Sequence, residues 1–303
     1  MEVQEQLRTP QVDVRATAQL AQAYARSLGV HAARALGTES NPSLKWISPR
    51  GVWLSLAVAP ERKLSEAEES ELEALLTEGA GRPAPTRIVT AEQSTPWDHE
   101  SAAIISRTTN GGVDESHLAV APDPDGEYRS TLNAAFDVFR KAWPEGAVEF
   151  STLIRSVIVL RDTELTASHD QLFGTVFSGA AYITSVPLAY ELLLHECGHH
   201  SMFLRVWRND LVENPGTLVS HPLRHDPRPI SGTLHAAYSL WRMWYGMSRW
   251  CDRPDLNPPP EAFEIRDRDF QRLHQTLETL RDNAVWTPEG KRLFDNLSAG
   301  VLT

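Results

Sequence analysis

Apolar positions recur at helical spacing along most of this chain and at strand spacing in only a few places. The stretch 16–36 (ATAQLAQAYARSLGVHAARAL) is rich in helix formers and stops before Gly37. Residues 65–77 predict an acidic helix whose apolar contacts are Leu72, Leu75 and Leu76. Leu132, Ala135, Phe136 and Phe139 fall on one face of a helix over 129–143. The run Leu153–Leu160 is β-branched and apolar enough for a core strand. A second strand is expected at 174–177 or 180–184. The run 51–59 reads either as a strand or as a buried helical turn. Pro187 opens another apolar helix, where a missing N–H costs least. A loop with three prolines covers 221–231, and an apolar helix follows over 233–250, crowded with Trp241, Trp244 and Trp250. Beyond Asn257-Pro-Pro-Pro260, helices are expected near 261–284 and 288–297.

The pattern predicts an α+β, predominantly helical fold with a small sheet. The turn-rich stretch 80–125, with Gly111-Gly112 and Pro122-Asp-Pro124-Asp-Gly126, suggests a lobe boundary. The expected division is a mostly helical N-terminal lobe over 1–110 and a second domain over 111–303, which can pack as one unit.

Composition narrows the function by exclusion. With 303 residues and a formal net charge of −11, the chain has no basic footprint for nucleic acid or anionic lipid. No apolar run approaches membrane-spanning length, and the first residues, MEVQEQLRTPQVDVR, lack a secretory apolar core. Cys197 and Cys251 are the only cysteines, too few for a disulfide framework or a thiolate zinc site. A cytoplasmic protein is the expectation.

The chemistry concentrates in HECGHH at 195–200. His195 and His199 are spaced i, i+4, which puts both imidazoles on one helix face within reach of one metal ion. Glu196 is placed to act as a general base or to orient a ligand. His200 lies one step off the metal face, and Cys197 faces away from it and reads as packing. Two histidines do not complete a site. The metzincin extension requires Gly and His where this chain has Met202 and Arg205, and Glu213 sits in a polar stretch unsuited to a gluzincin ligand. His235, at the start of the next predicted helix, is the candidate third ligand, with Asp226 the carboxylate alternative. Arg228 is held between Pro227 and Pro229, so a stiff loop presents a guanidinium suited to bidentate binding of a carboxylate. An ion pair to Asp226 or a helix cap is the structural alternative.

The segment from about 168 to 250 resembles the HExxH-domain peptide-modification proteins of ribosomal peptide natural-product pathways. The matching pieces are Phe173-Gly174-Thr175-Val176, His195-Glu196-Cys197-Gly198-His199, Arg228-Pro229 and Leu234-His235-Ala236-Ala237-Tyr238. Ala236 stands where glycine is frequent, and Cys197-Gly198 where bulkier residues are usual. The resemblance implies an iron(II)/2-oxoglutarate-dependent oxygenase that uses O2 to hydroxylate a side-chain β-carbon of a precursor peptide, on a fold other than the double-stranded β-helix. By that resemblance His195, His199 and His235 hold iron, Arg228 binds the distal carboxylate of 2-oxoglutarate, and Glu196 supports a ligand or water. The substrate peptide and a radical SAM enzyme of the same pathway are the implied partners. A zinc-dependent peptidase with Glu196 as general base is the competing enzyme, and a non-catalytic, metal-containing peptide-binding protein the competing non-enzyme.

Overall fold

A computed structural model describes residues 12–36, 48–57, 64–77, 85–108, 118–161, 165–223 and 225–302. Among the described residues the fold is predominantly helical α+β, with a four-stranded sheet and a separate two-stranded one. The chain forms two compact units, Ala18–Arg129 with Ser151–Tyr182, and Met1–Thr17 with Ser130–Phe150 and Ile183–Thr303. Each unit is therefore discontinuous in sequence.

The first unit carries α1 (Val14–Leu36) from Ala18 on, α2 (Pro49–Ala57), α3 (Glu66–Thr77), β1 (Arg87–Val89) and α4 (Pro96–Thr108). It also carries β2 (Ser156–Leu160), β3 (Thr166–Ala167) and β4 (Thr175–Gly179). The strand order is β1-β2-β4-β3, parallel except for β3. Every residue of β2 and β4 is buried. Covering on both faces explains the continuous apolar run Val157–Leu160 of β2, while β4 buries Thr175 and Ser178 beside Val176 and Phe177. Val89, Ile104, Ile105, Ile158, Leu160 and Phe177 form much of this core. The run 51–59 resolves, as far as it is described, into helix α2, started by Ser48, whose carbonyl accepts from Val52 N at 2.8 Å. Strand β1 and helix α4 lie in the stretch read from sequence as turns. Gly111-Gly112 lies outside the described residues.

The second unit is built from α5 (Glu127–Ala142), α6 (Pro144–Leu153), α7 (Val186–Arg208), β5 (Leu218–Val219), β6 (Arg228–Pro229), α8 (Ile230–Cys251), α9 (Pro260–Asn283) and α10 (Pro288–Ser298). The strand expected from 153 begins only at Ser156, because Pro144–Leu153 is a helix. Residues 180–183 form a 3-10 turn rather than a strand. Ser185 caps α7 by accepting from Leu188 N at 3.3 Å, with Pro187 in the first turn as expected. Helix α8 starts earlier than its apolar pattern, at Ile230. Two of its first N–H groups find acceptors in the preceding loop, Ile230 N on Thr217 O and Ser231 N on Pro215 O. His235 therefore stands in the second turn of α8 rather than the first.

Helices α7 and α8 pack antiparallel and very closely. A Cβ at Gly198 would lie 2.9 Å from Cα and Oγ of Ser239, and one at Gly246 would lie 2.5 Å from Leu194. Only glycine permits that approach, so the glycine of HECGHH has a packing reason. Tyr190 extends the same contact, donating its hydroxyl to Gly246 O at 3.1 Å. At the far end of the unit Gly290 meets the chain still more tightly, since its missing Cβ would lie on Leu211 O. Around it, Thr287 Oγ1 donates to Asp210 O at 2.8 Å and Glu213 N to Val285 O at 2.8 Å.

Candidate metal centre

The two motif histidines meet on α7. Their Nε2 atoms are 3.0 Å apart and their rings are 4.6 Å between centroids, at 73°. Two nitrogens bound to one ion at about 2.1 Å, with an angle of roughly 90–110° between them, lie about 3.0–3.4 Å apart. The separation is therefore within the range that one divalent ion spans. His195 is 32% exposed on its side chain, which leaves the pair open to solvent. Its Nδ1 lies 3.1 Å from the Met243 sulfur on α8, a contact that fixes the ring.

Burial holds His199 well below the usual imidazole range, and neighbouring His195, His235 and His200 push the same way. The neutral ring keeps its lone pair, as a metal ligand must. His235 approaches from α8. Its ring lies 6.1 Å from that of His199, nearly parallel at 22°, with Phe203 packed beside both. Parallel stacking does not aim both rings at one point. Among the described residues no group of three or more His, Cys, Asp or Glu side chains stands in metal-binding geometry. The described geometry brings two imidazole nitrogens together and leaves His235 stacked against His199.

Glu196 is fully buried, with Oε1 3.8 Å from the same His195 nitrogen that faces His199. Its carboxylate thus borders the site. His200, one step off the metal face, is fully buried and donates through Nδ1 to Glu196 O at 2.9 Å, and burial pushes its pKa down to about 4. Arg228 is half-buried on β6, opposite Val219. Its Nε is buried and finds no hydrogen-bond acceptor among the described residues. Asp226 lies in an exposed turn, and no hydrogen bond or ion pair joins it to Arg228 or to the three imidazoles among the described residues.

The opposite face of α7 holds a polar cluster that the sequence did not announce. Glu149 of α6, fully buried, is ion-paired with the equally buried Arg242 of α8. Glu149 also accepts from Ser201 Oγ at 3.1 Å and Thr17 Oγ1 at 3.2 Å, and Cys197 Sγ lies 3.7 Å away. Tyr238 joins Ser201 at 3.1 Å and accepts from Arg205 Nε at 3.1 Å. Burial works against the Arg242 charge, but Glu149 outweighs it and raises the pKa. The guanidinium also lies over the Trp143 ring, 4.6 Å from its centroid. Cys197 packs here, away from the imidazoles, as the helical wheel required, and burial pushes its thiol pKa up. The available signal was a lone charge inside an apolar run, Glu149 in GAVEFSTL and Arg242 in LWRMW, because a fully buried charge must be paired.

No protein-family model matches the chain, and no curated protein matches it. Among the described residues no helix is long and apolar enough to cross a membrane.

Proposed function

We propose that this protein is a cytoplasmic iron(II)/2-oxoglutarate-dependent oxygenase that hydroxylates a side-chain β-carbon of a ribosomally made precursor peptide. The observation that carries the reading is Arg228. It is a half-buried guanidinium whose Nε has no acceptor among the described residues, on the strand that leads directly into the His235 helix. A peptidase needs no such fixed cation, whereas 2-oxoglutarate brings a second carboxylate that does.

In this reading His195 and His199 hold iron through Nε2, and His235 turns from its stack against His199 to supply the third nitrogen. Iron bound with 2-oxoglutarate and O2 supplies the oxidising power that turns C–H into C–OH, with succinate and CO2 as co-products. Arg228 binds the distal carboxylate of the keto acid and so fixes its orientation. Met243 holds the His195 ring, and the Glu196 carboxylate borders the site, 3.8 Å from His195 Nε2. Phe203, packed beside His199 and His235, limits water on that side.

The test is anaerobic loading with iron(II) and 2-oxoglutarate, then exposure to air with a candidate precursor peptide. A product heavier by one oxygen together with stoichiometric succinate is expected. Replacing Arg228 by alanine should raise the 2-oxoglutarate requirement at least tenfold while metal uptake stays intact. Loss of metal instead would remove Arg228 from that role. A second reading, a zinc peptidase, draws support from the Glu196 carboxylate beside the His195 nitrogen. Peptide cleavage restored by zinc alone, and abolished in Glu196→Gln, would establish it in place of the oxygenase.

A further inference from the structure

A groove of about 600 Å³ runs between the β5–β6 hairpin and α9. One wall is the strand itself, Leu218, Val219 and Ser220, with Leu218 66% exposed. The other is one face of α9, where Gln275, Glu278, Thr279 and Asp282 line it. Among the described residues β5 pairs only with β6, which leaves its second edge unused beside the groove.

We infer that this groove docks a short extended segment of a cationic peptide, which adds as a strand to β5. The inference rests on the peptide-modification reading and names where such a substrate is held, away from the imidazoles. Edge pairing is a recurring mode of peptide capture: main-chain hydrogen bonds supply affinity and side-chain pockets supply choice. The lining of α9 from Gln275 to Asp282 spans about 10 Å, room for about three extended residues. Charge selects the sign. Among the described lining residues Glu278 and Asp282 are the anions and Arg281 the cation, which pairs with Asp282 at 2.8 Å and Glu278 at 3.8 Å, while His274 Nδ1 lies 3.5 Å from Glu278. The whole chain carries −11.

The walls are already tied together. Asn214 Nδ2 donates to Asn283 O at 3.0 Å, and Val285 N donates to Asn214 Oδ1 at 2.9 Å. A groove fixed in this way loses little conformational freedom on binding. Val219 stands opposite Arg228 in the hairpin. A strand added to β5 would therefore run about two strand spacings, roughly 10 Å, from the Arg228 backbone.

The test uses the full chain without metal or 2-oxoglutarate, so its result is independent of whether oxygenase activity is found. The probe is a dye-labelled Lys-Val-Lys-Val-Lys-Val peptide, read by fluorescence anisotropy at low and physiological salt. Salt-sensitive binding is expected, weakened at least tenfold in the Glu278→Lys/Asp282→Lys double variant. A control variant with the same charge change on α3, Glu66→Lys/Glu69→Lys, should bind as the parent does. Alternating N-methylation of the probe should abolish binding, because it removes the strand's donors. Equal weakening in both double variants would reduce the effect to bulk charge and overturn the proposal. So would undiminished binding of the N-methylated probe, or no binding at all.

Discussion

Helix α7 has two faces that solve opposite problems. On one, Cys197 and Ser201 border a buried polar cluster in which Glu149 accepts from Arg242, Ser201 and Thr17, with Arg242 Nε and Nη1 lacking acceptors among the described residues. On the other, His195 and His199 turn their nitrogens toward each other and partly toward solvent. The first face spends its polar groups on holding α6, α7 and α8 together. The second sets the neutral His199 imidazole against that of His195, at the partly exposed edge of the helix. The comparison separates scaffold from site on a single helix.

Breaking the buried face should have the largest effect. Glu149→Ala leaves the Arg242 charge buried without its carboxylate, and about 3–5 kcal/mol of stability should be lost in urea unfolding. A loss under about 1 kcal/mol would mean that the cluster is not the scaffold. Next comes the seam between the faces. Gly198→Val drives a side chain into Ser239 and should cost about 1–3 kcal/mol through overpacking, with cobalt(II) uptake falling as α7 and α8 separate. Unchanged uptake would show that helix spacing does not set the histidine geometry. On the open face, His199→Ala should abolish cobalt(II) uptake yet alter stability by less than about 1 kcal/mol, since no buried network depends on that ring. A large stability loss would erase the distinction drawn here.

A further effect concerns pH and the N-terminal half of α7. Arg268 of α9 bridges Glu191 and Asp269, and Asp269 is fully buried. Burial, aided by the Glu191 charge and opposed by Arg268, pushes Asp269 up to about 7 from an ordinary 3.8. Between pH 4 and 7 the unfolded chain has therefore released this proton while the folded chain keeps it. Stability from this group is full at low pH and falls as pH rises through that window. The melting temperature of Asp269→Asn, relative to the parent, should climb from pH 4 to 7 and level off above. A flat or falling difference would place the carboxyl in an ordinary environment.

Much of the helical framework was legible because each helix buries one stripe. Leu132, Ala135 and Phe139 are all fully buried, as their spacing requires. Helix α4 and strand β1 escaped notice among turn signals, and β1 is only three residues long, too short for alternation to register. Of the candidate site, His195 and His199 could be read because i, i+4 spacing is a local property. His235 could be proposed but not oriented, since ring direction depends on how α8 packs. Glu149 and Arg242 are 93 positions apart, and no local pattern joins two charges at that separation. Their shared oddity, a charge among large apolar residues, says that each needs a partner without saying which.

The contact at Gly290 has a practical consequence for anyone shortening the chain. Helix α10 sits outside the imidazole cluster and looks dispensable, yet its first turn and the strand bridge before it, Val212 with Trp286, grip the loop that leads into β5. That loop also receives the first two N–H groups of α8. Trimming the C-terminus ahead of Thr287 would unfasten the hairpin bearing Arg228 from the opposite end of the sequence. The last helix therefore works as a latch on the middle of the chain, and affinity tags are better placed after it than in its stead.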